Sequence, residues 1–125
     1  GRSKITETIF ENRMNHVESL NQMGSSITLK DNIAYINGVN KLRGRTLVGL
    51  DLRSSAALTI AALTSINVSY VYGLEHLDRG YENFELKLSK LGVQIKREIT
   101  KSIISESNYD SHNLNEEKIS EIKAA

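Results

Sequence analysis

The chain has 125 residues, 16 Lys+Arg against 15 Asp+Glu, 39% apolar content, and neither cysteine nor proline. One domain of that length can bury a sizeable core, and the missing thiols exclude a disulfide framework, a thiolate zinc site and a cysteine nucleophile. The longest nearly apolar run, Ala56 to Leu63, is interrupted by Thr59 and falls far short of the roughly 18–20 residues of a membrane span; with no apolar h-region at the start, a cytoplasmic location without a membrane partner is expected.

Residues 4 to 10 mix β-branched and polar side chains in the manner of a strand. Met14, Val17, Leu20 and Met23 then recur at helical spacing, with Gly24 where a left-handed cap would sit. Ile27, Leu29, Ile33 and Tyr35 flank Asp31-Asn32, which predicts a hairpin with a tight turn. A strand near Thr46 to Gly49 follows the basic loop Lys41 to Arg45. Leu52 to Leu63 is apolar around most of its circumference and is preceded by Asp51, a good N-cap, so a buried helix is expected. Asn67 to Tyr72 reads as a strand. Asp78 reads as the cap of a helix with Tyr81, Phe84, Leu88 and Leu91 on one face, stopped by Gly92 before a last strand, Val93 to Arg97.

Leu20, Met23, Gly24 and Ile27 have the same spacing as Leu88, Leu91, Gly92 and Ile95, so helix, glycine stop and strand recur 68 positions apart. Two copies of one unit fit this spacing, and so does any pair of glycine-capped amphipathic helices followed by strands. Residues 1–99 hold 13 Lys+Arg and 10 Asp+Glu, whereas residues 100–125 hold 3 and 5. The polar run from Ser105 to Asn115 buries too little to offset its ordering entropy. The expected division is therefore a folded part, 1–99, and a disordered extension, 100–125, whose end from Glu116 forms at most a frayed helix.

Asp51-Leu52-Arg53 and Asp78-Arg79-Gly80 each read as a helix start carrying an aspartate cap and an arginine. Helix N-termini and guanidinium forks both favour anions, which makes the pair a candidate site for carboxylate or phosphate. The same spacing also fits arginines that pair with nearby carboxylates on the surface. Arg13, between a strand and a helix, is a third candidate with the same two readings. Lys41, Arg43 and Arg45 lack aromatic interleaving and read as a solvated loop, so no nucleic-acid partner is expected. His16, His76 and His112 lack ligand spacing, and no metal is assigned to them.

The runs Ile5-Thr6-Glu7-Thr8-Ile9-Phe10-Glu11-Asn12-Arg13, Asp51-Leu52-Arg53-Ser54-Ser55-Ala56-Ala57-Leu58 and His76-Leu77-Asp78-Arg79-Gly80-Tyr81-Glu82 resemble the C-terminal portion of the UDP-N-acetylglucosamine 1-carboxyvinyltransferase family. The resemblance extends from Gly1 to about Arg97 and corresponds to about a quarter of a full-length member. It implies an α/β (α+β) fold of repeated β-α-β-α-β-β units, an inverse α/β prism, with one to one-and-a-half units present. It also implies transfer of enolpyruvyl from phosphoenolpyruvate to the 3-hydroxyl of UDP-N-acetylglucosamine, the first committed step of peptidoglycan synthesis, without metal or organic cofactor.

Carried over motif by motif, Arg79 would be the catalytic arginine closing onto phosphoenolpyruvate, and Arg53 a second arginine in the same cleft. Ile9, through its backbone, and Phe10 would meet the UDP-sugar, with Arg13 near the cleft. The family's cysteine loop, its lysine and asparagine, and the aspartate that deprotonates the sugar belong to segments before Gly1, so the chain alone is expected to be inactive and to need the remainder of the enzyme. Met14-Asn15 replaces the family's usual Phe-Met, and the tail after Thr100 exceeds its usual ending. The competing expectation is a non-catalytic remnant that binds a nucleotide sugar or a partner protein through an exposed apolar face.

Overall fold

In the computed structural model, which describes residues 1–100 and 117–123, β1 (Arg2–Thr6), β2 (Ser26–Lys30) and β3 (Ile33–Asn37) form an antiparallel sheet in the order β1-β3-β2. The expected hairpin is present: Asp31, with φ of +53°, starts the two-residue turn that sets Leu29 opposite Ala34 and Lys30 opposite Ile33. The first strand is shorter than its sequence suggests and stops at Thr6, because residues 7–10 fold back around the side chain of Glu7.

Helix α1 (Val17–Gln22) ends as its sequence requires. Gly24, at φ of +95°, lets its own N–H reach the Asn21 carbonyl at 2.9 Å and the Ser25 N–H reach the Leu20 carbonyl at 3.1 Å, the two bonds of a Schellman motif. The next turn of chain gives β4 (Leu42–Arg43) and β5 (Thr46–Val48). The basic loop between them is not simply solvated, since Arg45 Nε donates to the Gln22 carbonyl at 3.2 Å and places a cation at the C-terminal end of α1.

Helix α2 (Leu52–Thr64) crosses from β5 to β7 (Ser69–Tyr72), which pair in parallel, and β6 (Ser65–Ile66) pairs in parallel with β4. Its start is a reciprocal capping box, with the Asp51 carboxylate accepting the Ser54 N–H at 2.8 Å and Ser54 Oγ accepting the Asp51 N–H at 3.0 Å. The helix buries one side, Ser54, Ser55, Ala56, Leu58, Thr59 and Ala62, and leaves Ile60 exposed, so it is covered on a face and not all round. Leu58 and Ala62 join Met23, Leu47, Val71, Leu74 and Leu77 in the core.

Three expectations are corrected downstream. Asp78 caps no helix start: Gly73, in the left-handed region, opens α3 (Leu74–Asp78), whose Leu74 and Leu77 are buried, and Asp78 is its last residue. A separate helix, α4 (Phe84–Lys90), follows Asn83 at φ of +50°. The last strand, β8 (Gln94–Thr100), is not the end of ordered structure, because β9 (Glu117–Lys123) lies between β7 and β8, antiparallel to both, in a sheet of order β5-β7-β9-β8. Two neighbouring ladders satisfy its backbone, which a short isolated helix at that place would lack. Residues 101–116 and 124–125 of the stretch expected to be disordered lie outside the described residues.

Candidate functional site

Glu7 builds one wall of the site. Its Oε1 accepts the backbone N–H of Ile9 at 2.9 Å and of Phe10 at 3.3 Å, so both peptide N–H groups turn inward and the two apolar side chains turn out, 76% and 56% exposed. Arg13 closes the same loop, with its Cζ 3.8 Å from the Phe10 ring centroid and Nη1 3.9 Å from Glu7 Oε2. The Ile9 N–H, opposed by partial burial and helped by the Phe10 N–H and Arg13, holds the Glu7 carboxyl below the usual glutamate range. Glu7 N–H donates to the Asn32 carbonyl at 2.9 Å, and Asn32 Nδ2 donates back to the Glu7 carbonyl, which anchors the loop to the β2–β3 turn. Between them lies a groove of about 810 Å³ whose lining includes Ile9, Phe10, Arg13, Asn15, Leu29 and Asp31.

A second group of expected residues lies beside this groove and does not line it. Asn15 Nδ2 donates to Asp51 Oδ2 at 2.9 Å and so couples the groove to the capped start of α2, where Arg53 is exposed. The Ser54 N–H and then Asn15 keep the Asp51 carboxyl low, while burial lowers the pKa of the adjacent His16 against the opposing pull of Asp51. Arg79 is exposed at the end of α3, and Gly80 is packed so closely on Leu52 that a Cβ there would sit 2.6 Å from Leu52 Cδ2. The two arginine-bearing segments therefore abut.

Among the described residues neither Arg53 nor Arg79 makes a salt bridge, and the carboxylate next to Arg79, that of Asp78, is bound by Arg97. The surface ion-pair reading of these two arginines thus finds no partner within the described structure. Glu7, Asn15, Asn32 and Arg97 were not singled out by sequence reasoning. For Glu7 a signal existed in the spacing of a carboxylate two residues ahead of an exposed Ile-Phe pair; for the others the partners are too distant in sequence. No three His, Asp or Glu side chains converge among the described residues.

Residues 1–88 match the family described as EPSP synthase (3-phosphoshikimate 1-carboxyvinyltransferase). The chain belongs to the EPSP synthase family. It is 77% identical over all 125 residues to the UDP-N-acetylglucosamine 1-carboxyvinyltransferase of Prochlorococcus marinus subsp. pastoris, covering 27% of that protein. It is 53% identical over 97 residues to the protein of the same name in Synechocystis sp., covering 78% of this chain and 22% of the relative. The chain thus spans about a quarter of the curated relatives it matches. Among solved structures, the enolpyruvyl transferase NikO from Streptomyces tendae matches with a TM-score of 0.69 at 30% identity, over 74% of this chain and 22% of that one.

These findings bear out the resemblance read from the three motifs, and the enolpyruvyl transferase neighbour bears out the mixed α/β fold. The EPSP synthase match contains all three motifs and ends before β8, while the 77% identical relative aligns through β8 and β9 as well. No described helix is long and apolar enough to cross a membrane.

Proposed function

We propose that the chain supplies the anion-binding part of an enzyme that moves enolpyruvyl from phosphoenolpyruvate to the 3-hydroxyl of UDP-N-acetylglucosamine. The observation that carries this reading is the exposed guanidinium of Arg79, without a salt bridge among the described residues, on a turn packed against the capped start of α2. Such a group has no ion pair to give up when a phosphate or carboxylate arrives, and its planar fork matches either anion. Arg79 is the catalytic arginine of the reading and Arg53 extends the same cationic edge. Ile9, Phe10 and Arg13 offer the groove to the nucleotide sugar. Glu7 consumes the Ile9 N–H, so the Ile9 backbone atom left for a ligand is its carbonyl.

In the reaction the sugar 3-hydroxyl gives up its proton as its oxygen bonds to C2 of phosphoenolpyruvate, a proton is added at C3, and the C2–O bond to the departing phosphate breaks as a C3 proton is lost to restore the double bond. Residues 1–99 carry the groups named for this role, and β9 (Glu117–Lys123) completes the sheet that holds β7 and β8. The reaction opens peptidoglycan synthesis and places the protein in the cytoplasm, with the rest of the enzyme as its partner. The proton-transfer groups must lie within hydrogen-bond reach of the substrates, and the resemblance places them outside this chain.

The test is phosphate release by a chimera in which this chain replaces the matching segment of the 77% identical Prochlorococcus protein. The chimera should release phosphate only when both substrates are present, and the isolated chain should release none. Arg79→Ala should lower kcat/KM for phosphoenolpyruvate by about a hundredfold or more. An unchanged Arg79→Ala chimera, or turnover by the isolated chain, overturns the reading.

A further inference from the structure

The turn from Arg79 to Asn83 is held at both ends by one side chain from another element. Arg97, on β8, donates from Nη1 to Asp78 Oδ2 at 3.1 Å and from Nη2 to Asp78 Oδ1 at 2.9 Å, a fork-to-fork pair. The same Nη2 donates to Glu85 Oε2 at 3.0 Å. Asp78 immediately precedes Arg79, and Glu85 stands in the first turn of α4, two residues beyond Asn83. The strand period puts Arg97 on the same side of β8 as Ile95, which packs against the core, and the guanidinium is only 22% exposed.

Solvent screening of these pairs is correspondingly reduced, and planar bidentate geometry is what distinguishes arginine from lysine at such a place. Two consequences follow for the neighbouring residue. The Asp78 carboxylate, the nearest counter-charge in sequence to Arg79, is committed elsewhere. The turn is also fixed at both ends, although its last residue, Asn83, holds a left-handed conformation that non-glycine residues adopt at a cost.

We propose that Arg97 is a positioning residue for phosphoenolpyruvate: by bridging Asp78 and Glu85 it keeps the turn that carries Arg79 in register. The inference rests on the reading of Arg79 given under Proposed function. It assigns Arg97 no contact with substrate. Its distinctive consequence is selective, because loosening this turn displaces the Arg79 guanidinium and leaves the Ile9–Phe10 groove, which Arg97 does not touch, in place.

The experiment uses the chimera described above, with steady-state kinetics for each substrate. Arg97→Ala should raise KM for phosphoenolpyruvate about tenfold while KM for UDP-N-acetylglucosamine changes less than about twofold. Arg97→Lys, which keeps the charge and loses the fork, should show the same selective rise and carries the test if the alanine variant does not fold. Equal changes in both KM values, or none in either, would leave Arg97 a purely structural ion pair and overturn the proposal. Arg79→Ala separates the two readings: if it leaves phosphoenolpyruvate kinetics unchanged the assignment of Arg79 has failed, whereas a large loss there with unaltered Arg97 variants refutes only the positioning role.

Discussion

Glu7 shows how much geometry one carboxylate can impose, since its Oε1 collects two consecutive backbone N–H groups and its other oxygen faces Arg13. These contacts favour the ionised form, so its folded pKa lies below the ordinary value of 4.5. A depressed carboxyl pKa contributes stability that is fully present above the unfolded value and is lost as pH falls through the folded one. Glu7→Gln should therefore flatten the acid limb of stability below about pH 4.5. Thermal midpoints of both proteins across that range check this, and coincident acid limbs would refute it. At this scale legibility depended on sequence distance. Asp51 was readable as a cap because its partner Ser54 is three residues away, while Asp78 was misread because its partner, Arg97, is nineteen residues further on. The cleft roles of Arg13, Arg53 and Arg79 came from the resemblance; their spacing alone left the surface alternative open.

Secondary-structure elements repeat this pattern. The helix, glycine and strand of α1–β2 recur in α4–β8, and both glycines adopt positive φ, +95° at Gly24 and +88° at Gly92, with no atom within 4 Å of where a Cβ would lie. Backbone conformation, not space, demands glycine there. Gly24→Ala and Gly92→Ala should each destabilise the fold by about 1–2 kcal/mol, with asparagine costing less. Denaturant titration measures both, and a neutral alanine variant would show that the turn relaxes into another cap. The motif was legible because it is local, but its burial was not: Met23 is fully buried while its counterpart Leu91 is 79% exposed. The break between α3 and α4 escaped notice because Tyr81, Phe84, Leu88 and Leu91 have helical spacing, which hides the turn at Gly80 to Asn83. β9 escaped notice because its pairing partners are remote, 17 to 29 residues away on β8 and 49 to 53 on β7.

For the whole molecule, composition limited the class and the three motifs identified the family, but neither revealed the mixed sheet. Ile9, Leu50 and Leu91 are 76%, 62% and 79% exposed, and the remnant reading requires such side chains to act together as one apolar face. Taken alone, this chain should self-associate, with a sedimentation coefficient that rises with concentration. A monomer at every concentration would argue against an unsatisfied apolar face and against the remnant reading that depends on one.

The order β5-β7-β9-β8 sets a timetable for assembly. On a ribosome the chain emerges from its amino end, so β8 is complete while the strand that joins it to β7 has still to be made. Until residues 117–123 emerge, β7 offers an open edge and β8 has no partner within its sheet. Arg97, which lies on β8, is therefore among the last parts of the site to be locked in place, and any ribosomal stall or nick before residue 117 would leave the Arg79 turn without a strand-held clamp.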